Sequence, residues 1–84
     1  LITLYPNPNN GEFQIALNDL IPDRRYRLEV HNYLGQSMWQ DSFISLSETV
    51  NRSVVMPNVA NGMYVLSMFI DDRPVTQIPF ILNR

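Results

Sequence analysis

Apolar and polar residues alternate in short runs along this chain, and that alternation restricts the folds open to it. The clearest run is Glu12–Leu17, in which Phe13, Ile15 and Leu17 recur at a spacing of two. Successive side chains of a strand point to opposite faces, so this spacing places the apolar residues on one buried face. No segment shows the 3.6-residue spacing of an amphipathic helix. The pattern therefore predicts an all-β fold.

Turn-forming residues divide the alternating pattern into about seven short strands. We predict these strands at residues 1–5, 12–17, 24–31, 36–41, 49–56, 63–70 and 75–82. Phe43, Ile44 and Leu46 are expected in a less regular connection between the fourth and fifth strands. Turn signals at intervals of roughly 8–12 residues favour an Ig-like antiparallel β-sandwich, in which two sheets pack face to face.

Three residues indicate details of this sandwich. Tyr64 stands two residues after Gly62, at the start of a strand entered from a loop. This is the position of a tyrosine corner, in which the ring is buried and the hydroxyl binds nearby backbone. Pro79 cannot donate to a ladder, so the last strand should lie at an edge or contain a bulge. Gly35 suits the left-handed position of a tight hairpin turn.

Composition excludes several classes of protein. A chain of 84 residues has room for one domain, which we place at residues 1–84. There is no cysteine, so neither a disulfide nor a thiolate metal site supports the core. The net charge is −2, with six arginines and no lysine, which disfavours nucleic-acid binding. No apolar run approaches the roughly 20 residues of a membrane helix, and no signal peptide leads the chain.

The sequence offers little for catalysis or for metal binding, and we predict no enzyme, no cofactor and no metal site. His31 is the sole histidine and falls on the predicted outward face of a strand. The serines are scattered and lack the pattern of an activated nucleophile. Asp71 and Asp72 provide too few oxygen ligands for calcium and are better explained by a short hairpin turn at 71–73.

Three short motifs, each a turn followed by or fused to an alternating strand, carry the most specific signal. They comprise Tyr5, Pro6, Asn7, Pro8 and Gly11 in the first motif, Val30, Asn32, Leu34, Gly35 and Gln36 in the second, and Val59, Gly62, Met63, Tyr64 and Leu66 in the third. In order and spacing they resemble the type A C-terminal sorting domain of the type IX (Por) secretion system of Gram-negative bacteria. The resemblance extends over essentially the whole chain.

This resemblance implies a function in export. Family members are Ig-like β-sandwiches at the C-terminus of a larger cargo protein, which crosses the inner membrane by an ordinary signal peptide. The folded domain then directs the cargo through the outer-membrane translocon, with shuttle proteins and a surface sortase as further partners. In many members the sortase removes the domain. The chain is therefore expected to pass through the periplasm and to reach the cell surface or the medium.

One residue departs from the family pattern. The family usually carries a lysine just before the last apolar strand, whereas Gln77 precedes Ile78 here and the chain has no lysine. Arg73 and Arg84 are the cations nearest in sequence that could take that role. A planar guanidinium is nevertheless not equivalent to an ammonium point charge.

We expect recognition to involve the motifs and the last strand, whose edge could add to a partner sheet. The candidate residues are Tyr5, Pro6, Asn7, Pro8, Gly11, Asn32, Gly35, Gly62, Tyr64, Gln77, Ile78, Phe80, Ile81 and Leu82. The alternative function is a carbohydrate-binding or adhesive, fibronectin-like accessory module. It predicts an exposed aromatic strip, for which Trp39 and Tyr33 are the candidates, although Trp39 is better explained as a core residue.

Overall fold

The computed structural model describes residues 1–84 and contains seven antiparallel strands. They are β1 (Ile2–Tyr5), β2 (Glu12–Leu17), β3 (Arg25–Asn32), β4 (Ser37–Ile44), β5 (Val50–Val55), β6 (Gly62–Ile70) and β7 (Arg73–Leu82). One sheet has the order β1-β2-β5 and the other the order β4-β3-β6-β7. The predicted all-β sandwich is confirmed. No helix in the structure has the length and hydrophobicity needed to cross a membrane.

The core lies between the two sheets and is built from the alternating positions. Its buried members are Leu4, Phe13, Ile15, Leu17, Leu20, Tyr26, Leu28, Val30, Val54, Met56, Tyr64, Leu66, Met68, Phe80 and Leu82. Burial of each large apolar side chain contributes roughly 1.5–3 kcal/mol relative to exposure. Every strand except β4 supplies at least one buried residue, and the inner strands β2, β3 and β6 each supply three buried apolar residues, so loss of an inner strand would remove a full row of the core.

The β4 strand is longer than predicted. The expected irregular connection at Phe43 and Ile44 is wrong, since β4 continues through both residues to Ile44. Phe43 pairs with Tyr26 across the ladder, and their rings stack with centroids 5.7 Å apart. That cross-strand contact extends β4 beyond the polar residues 40–42, where the alternation of apolar and polar residues weakens. Leu46 does lie in the loop that follows, where it is exposed.

A β-bulge sets the orientation of β4. The register between β3 and β4 shifts between Val30 and His31, so Trp39 faces Val30 while Ser37 faces His31. Met38 is the extra residue, and both Met38 and Trp39 pack against the core as partly buried side chains. The predicted core position of Trp39 is thus confirmed in part. A bulge of this kind changes which side chain points inward without changing the overall sequence pattern.

An ion pair closes the side of the sandwich where β4 and β5 are edge strands. Arg52 lies at a core-facing position of β5, and its Nε is 2.9 Å from Oδ2 of Asp41 on β4. The guanidinium also lies 4.7 Å from the centre of the Phe43 ring. Both charged groups are about one-third exposed, so this pair retains access to water and contributes modestly to stability.

Turns and termini collect at two opposite ends of a molecule measuring 36 × 22 × 17 Å. One end, here called the motif pole, contains the β1–β2 loop (6–11), the β3–β4 turn (32–36), the β5–β6 loop (56–61) and residues 83–84. The other end, the charged pole, contains Leu1, the β2–β3 loop (18–24), the β4–β5 loop (45–49) and the β6–β7 turn (71–72). The three sequence motifs therefore lie together, although they are far apart along the chain.

Candidate functional site

The first motif joins the two sheets at the motif pole. After Tyr5 the chain leaves β1 and crosses to the outer edge of β7, where Asn9 forms a parallel bridge with Leu82. The Asn9 N–H donates to the Ile81 carbonyl over 3.0 Å, and the Asn83 N–H donates to the Asn9 carbonyl over 2.7 Å. Oδ1 of Asn7 accepts from the Ile81 N–H over 3.0 Å. The β1–β2 loop thus caps the C-terminal end of β7.

The conformation of this loop depends on Asn9 and Gly11. Asn9 is buried; its Oδ1 accepts from the Gly11 N–H over 2.9 Å and its Nδ2 donates to the Pro6 carbonyl over 3.1 Å. Gly11 has φ of +101°, a backbone conformation that favours glycine over residues with a Cβ. A Cβ at Gly11 would also lie 2.6 Å from Nη2 of Arg84, so a larger residue would displace that side chain.

Arg84 connects the end of β7 to the β5–β6 loop. Its Nη1 donates to the Val59 carbonyl over 2.6 Å and its Nη2 to the Pro57 carbonyl over 3.1 Å. Its backbone N–H donates to Oδ1 of Asn61 over 3.0 Å. Two loops and the final strand therefore form one hydrogen-bonded assembly.

The second motif forms a turn whose apolar residues point to solvent. Oδ1 of Asn32 accepts from the N–H groups of Leu34, at 3.0 Å, and Gln36, at 2.9 Å. Gly35 has φ of +83°, which confirms its predicted turn role. Tyr33 and Leu34 are held at the tip and are 83% and 66% exposed. Such exposure of neighbouring large apolar side chains is typical of a contact surface.

The third motif forms the predicted tyrosine corner. The Tyr64 hydroxyl donates to the Ala60 carbonyl, four residues upstream, while the ring is 5% exposed. The ring packs on Phe80, with ring centroids 5.9 Å apart. Phe80 in turn packs on Phe13, with ring centroids 5.0 Å apart. Tyr64 thereby fixes the β5–β6 loop over the core. The sequence placement alone was sufficient to predict this role.

A groove of about 370 Å³ lies between the second and third motifs. It is lined by Asn32, Tyr33, Met38, Asn58, Val59, Ala60, Asn61, Gly62, Met63 and Tyr64. Most of these residues are apolar, and Met63 at its rim is 55% exposed. Sequence reasoning missed the groove because its two walls are at least twenty residues apart along the chain and meet only through the β3–β6 pairing.

The last strand lies at a sheet edge, as Pro79 predicted, but much of that edge is occupied. Ile81 points its N–H and carbonyl away from β6 and toward the β1–β2 loop. By the two-residue period, Pro79 and Gln77 share this outward direction. Because Pro79 has no N–H, only Gln77 of these three has a main-chain donor free for a partner strand. Extensive strand addition at this end of β7 is therefore disfavoured.

The candidate recognition residues divide into two groups by exposure. The first group is inaccessible or nearly so and supports the fold: four residues are buried and one is half-buried, namely Tyr64, Phe80, Leu82, Gly11 and, half-buried, Ile78. The exposed members are Tyr5, Pro6, Asn7, Pro8, Gly35, Gly62, Gln77 and Ile81, while Asn32 is half-buried. The exposed members, apart from Gln77, lie at or next to the motif pole.

Gln77 lies away from the motif pole, in the middle of the outer sheet face. It pairs with Ser67, which pairs in turn with Glu29, so the three form a polar row across the sheet. Its Nε2 is 3.5 Å from the Ser67 hydroxyl. Arg73 begins β7 next to the charged pole, and the Arg84 side chain is bound to loop carbonyls at the motif pole. Neither arginine occupies the position of the absent lysine.

The charged pole contrasts with the motif pole in its chemistry. Nη1 of Arg24 lies 2.7 Å from Oδ2 of Asp71, and Nη1 of Arg27 lies 3.1 Å from Oδ1 of Asp72. The Arg25 backbone N–H, followed by the Arg24 side chain, lowers the pKa of the Asp71 carboxyl below its ordinary value of 3.8. Asp71 and Asp72 both have positive φ and form the hairpin turn predicted for them. Both carboxylates form ion pairs with arginine side chains.

His31 and Trp39 occupy structural positions, whereas Tyr33 is exposed in a turn. His31 lies on the outward face of β3, half-buried, with Nε2 3.8 Å from Oε1 of Glu29. Trp39 packs against the core from the edge strand β4, whereas Tyr33 lies at the tip of the β3–β4 turn. The two aromatic side chains therefore do not form the flat exposed strip that a sugar-stacking platform requires.

Comparison with known proteins finds similar sequences over nearly the whole chain. The sequence matches the family described as "Secretion system C-terminal sorting domain" over residues 3–81. It is also 27% identical over 82 residues to the ulvan lyase NLR42 of Nonlabens ulvanivorans. That alignment covers 98% of this chain and 14% of the relative, so the chain spans a small part of the protein it matches. The family match extends from β1 to β7 and contains all three motifs.

Proposed function

The chain belongs to the family of secretion system C-terminal sorting domains and is thus a sorting signal for type IX secretion, and we propose that its motif pole is the surface recognised by the export machinery. The observation that carries this proposal is that segments far apart along the chain meet at one end of the sandwich. Asn9, Arg84 and Tyr64, from three separate segments, hydrogen-bond those segments into one end of the sandwich. A surface fixed in this way loses little conformational entropy when it binds.

The proposal includes a direction. The cargo precedes Leu1, which lies at the charged pole, so the motif pole is the end farther from the cargo. The signal can then contact its receptor while a bulky folded cargo remains attached behind it. In this scheme the protein enters the periplasm by an ordinary signal peptide. Shuttle proteins and the outer-membrane translocon then bind the motif pole, and a surface sortase acts at the cell surface.

Contacts by side chains, more than strand addition, are the proposed mode of recognition. The β1–β2 loop already occupies the main-chain groups of Ile81, and Pro79 has no donor. Tyr5, Tyr33 and Leu34 are exposed at the same end of the molecule. The sorting domain itself catalyses nothing in this scheme, and any enzymatic activity belongs to the cargo that it exports.

A fusion experiment tests the proposal. A neutral reporter is placed behind an export signal peptide and before the 84 residues, in a host that has the type IX translocon. We expect the reporter at the cell surface or in the medium of that host, and in the periplasm of a matched strain without the translocon. Periplasmic retention in both strains would contradict the proposal.

Truncation is a poor substitute for this experiment. Removal of residues 75–84 would take Phe80 and Leu82, which are 1% and 0% exposed, out of the core. Loss of two such side chains costs several kcal/mol, so the truncated chain would fail to fold for reasons unrelated to recognition. Surface substitutions that preserve the core are therefore the appropriate variants.

A further inference from the structure

We propose that the groove between the β3–β4 turn and the β5–β6 loop binds an apolar side chain from an uncharged loop of an export-machinery protein, through a contact that is insensitive to salt. The inference rests on the proposed function and specifies the chemistry of the partner. It follows from three properties of the motif pole: its lack of charge, the internal use of its polar groups, and the size and lining of the groove.

The motif pole is almost free of charge. Arg84 is the sole charged residue in its four segments, and Glu12 lies just beyond them. The Arg84 guanidinium is bound to the Val59 and Pro57 carbonyls and is not directed at the groove. A partner surface rich in charge would lose hydration here without gaining an opposite charge. The complementary surface is therefore uncharged.

The polar groups of the groove are largely engaged within the chain. Oδ1 of Asn32 accepts two backbone N–H groups, and its Nδ2 donates to Gln36 over 2.7 Å. Oδ1 of Asn61 accepts from the Arg84 N–H, and the Tyr64 hydroxyl donates to Ala60. A glycan requires many free donors and acceptors, so these engagements favour an apolar ligand group over a sugar.

The groove fits an anchoring side chain. Its volume of about 370 Å³ is near the lower limit of ligand pockets, which measure roughly 300–1,000 Å³. Exposed Tyr33 and Met63 form parts of its rim. Aromatic residues and methionine are enriched at protein interfaces, and methionine adapts to the shape of a partner. A groove of this kind matches a single buried anchor surrounded by a rim.

Two pairs of variants in the reporter fusion separate groove binding from general surface effects. Tyr33→Asp and Met63→Asp introduce charge at the groove, while Leu46→Asp and Ile44→Asp introduce it at the charged pole. Each groove residue is paired with a control residue of similar exposure. Tyr33 and Leu46 are 83% and 89% exposed, and Met63 and Ile44 are 55% and 57% exposed. We expect the groove variants to lower the secreted fraction about tenfold or more, and the control variants to leave it unchanged.

Secretion of both groove variants at the wild-type level would overturn the inference. The proposed function would survive that result, because it fails if the wild-type fusion is retained or if obstruction of the motif pole leaves secretion unchanged. If the groove variants accumulate unfolded, as judged by protease digestion of the periplasmic fraction, Met63→Gln provides the uncharged second variant. A lowered secreted fraction for folded Met63→Gln supports an apolar contact at the groove, whereas a wild-type fraction would contradict it.

The ionic strength dependence identifies the partner chemistry. A photoreactive residue at position 33 of the fusion is activated in isolated envelopes at low and high salt. We expect a cross-link to a type IX component, identified by mass spectrometry, with a yield that is equal at both salt concentrations. A yield that falls with salt would contradict the uncharged contact. Cross-linking only to glycan or only to a second copy of this chain would also overturn the inference.

Discussion

At the scale of single residues, asparagine side chains accept hydrogen bonds from backbone N–H groups. In a regular sheet these N–H groups would donate to backbone carbonyls instead. Asn7 accepts from the Ile81 N–H, Asn61 from the Arg84 N–H, and Asn32 from two N–H groups of its own turn. Asparagine offers a short carbonyl acceptor without a net charge. The motif pole can therefore satisfy most of its irregular backbone without charged side chains, Arg84 being the one exception.

The hydroxyl of Tyr64 can be tested by the substitution Tyr64→Phe. The change removes the bond to the Ala60 carbonyl and leaves that acceptor without its partner, so we expect a loss of about 1–2 kcal/mol. In a domain of this size such a loss lowers the Tm by roughly 4–8 °C for each kcal/mol. Urea unfolding provides the measurement. Tyr5→Phe is the control, because Tyr5 is exposed and we expect its variant to match the wild type.

Asp71 predicts a stability change in acid. Its folded-state pKa lies below the ordinary value of 3.8, so the ionised carboxylate stabilises the fold above pH 3.8. This contribution is lost as the pH falls through the folded-state pKa. Asp71→Asn should therefore be less stable than the wild type at pH 7, and the difference should disappear in stronger acid. Unfolding curves across this range measure it, and a difference that persists at low pH would contradict the assignment to charge.

At the scale of elements, the contact between the β1–β2 loop and β7 explains why the first motif and the last strand belong together. The loop crosses from one sheet to the other, which a two-strand hairpin need not do, and it covers the end of an edge strand. Edge strands of natural proteins are commonly protected by prolines or by covering segments. Both devices occur on β7, in Pro79 and in the loop.

Asn9→Ala tests this contact between elements. The substitution removes two side-chain hydrogen bonds of a buried residue, to Gly11 and Pro6, and should cost about 1–3 kcal/mol. Hydrogen exchange at the Ile81 and Asn83 amides should also accelerate, because both bind the loop. Asn10→Ala is the control, since Asn10 is exposed, its side chain accepts only from the Glu12 N–H, and it makes no bond to β7. Unchanged exchange at both amides in the Asn9 variant would show that the loop does not depend on this side chain.

Local pattern predicted most elements, and the misses have physical reasons. The alternation located the buried face of β2, and the spacing of Gly62 and Tyr64 predicted the tyrosine corner. The extent of β4 was missed because its end depends on Phe43 stacking on Tyr26, which no local pattern contains. The bridge between Asn9 and Leu82 spans most of the chain, and no periodicity could have indicated it.

At the scale of the whole molecule, charge and motifs are separated along the long axis. Asp23, Arg24, Glu48, Asp71 and Asp72 lie in the segments of the charged pole, next to Leu1, whereas the motif pole is nearly neutral. The sandwich holds the two poles apart along its 36 Å length. The charged side chains keep their end hydrated, and the nearly neutral end is left for contacts that depend on shape.

This separation predicts that the position of the cargo controls export. A reporter fused directly after Arg84 would lie against the motif pole and obstruct the groove, so we expect its secreted fraction to fall about tenfold or more relative to fusion before Leu1. A flexible Gly/Ser linker of about 20 residues after Arg84 spans roughly 25 Å on average and should restore part of the secretion. Because both fusions contain the same domain, folding is matched. Equal secretion from the direct C-terminal fusion would show that the motif pole need not be accessible.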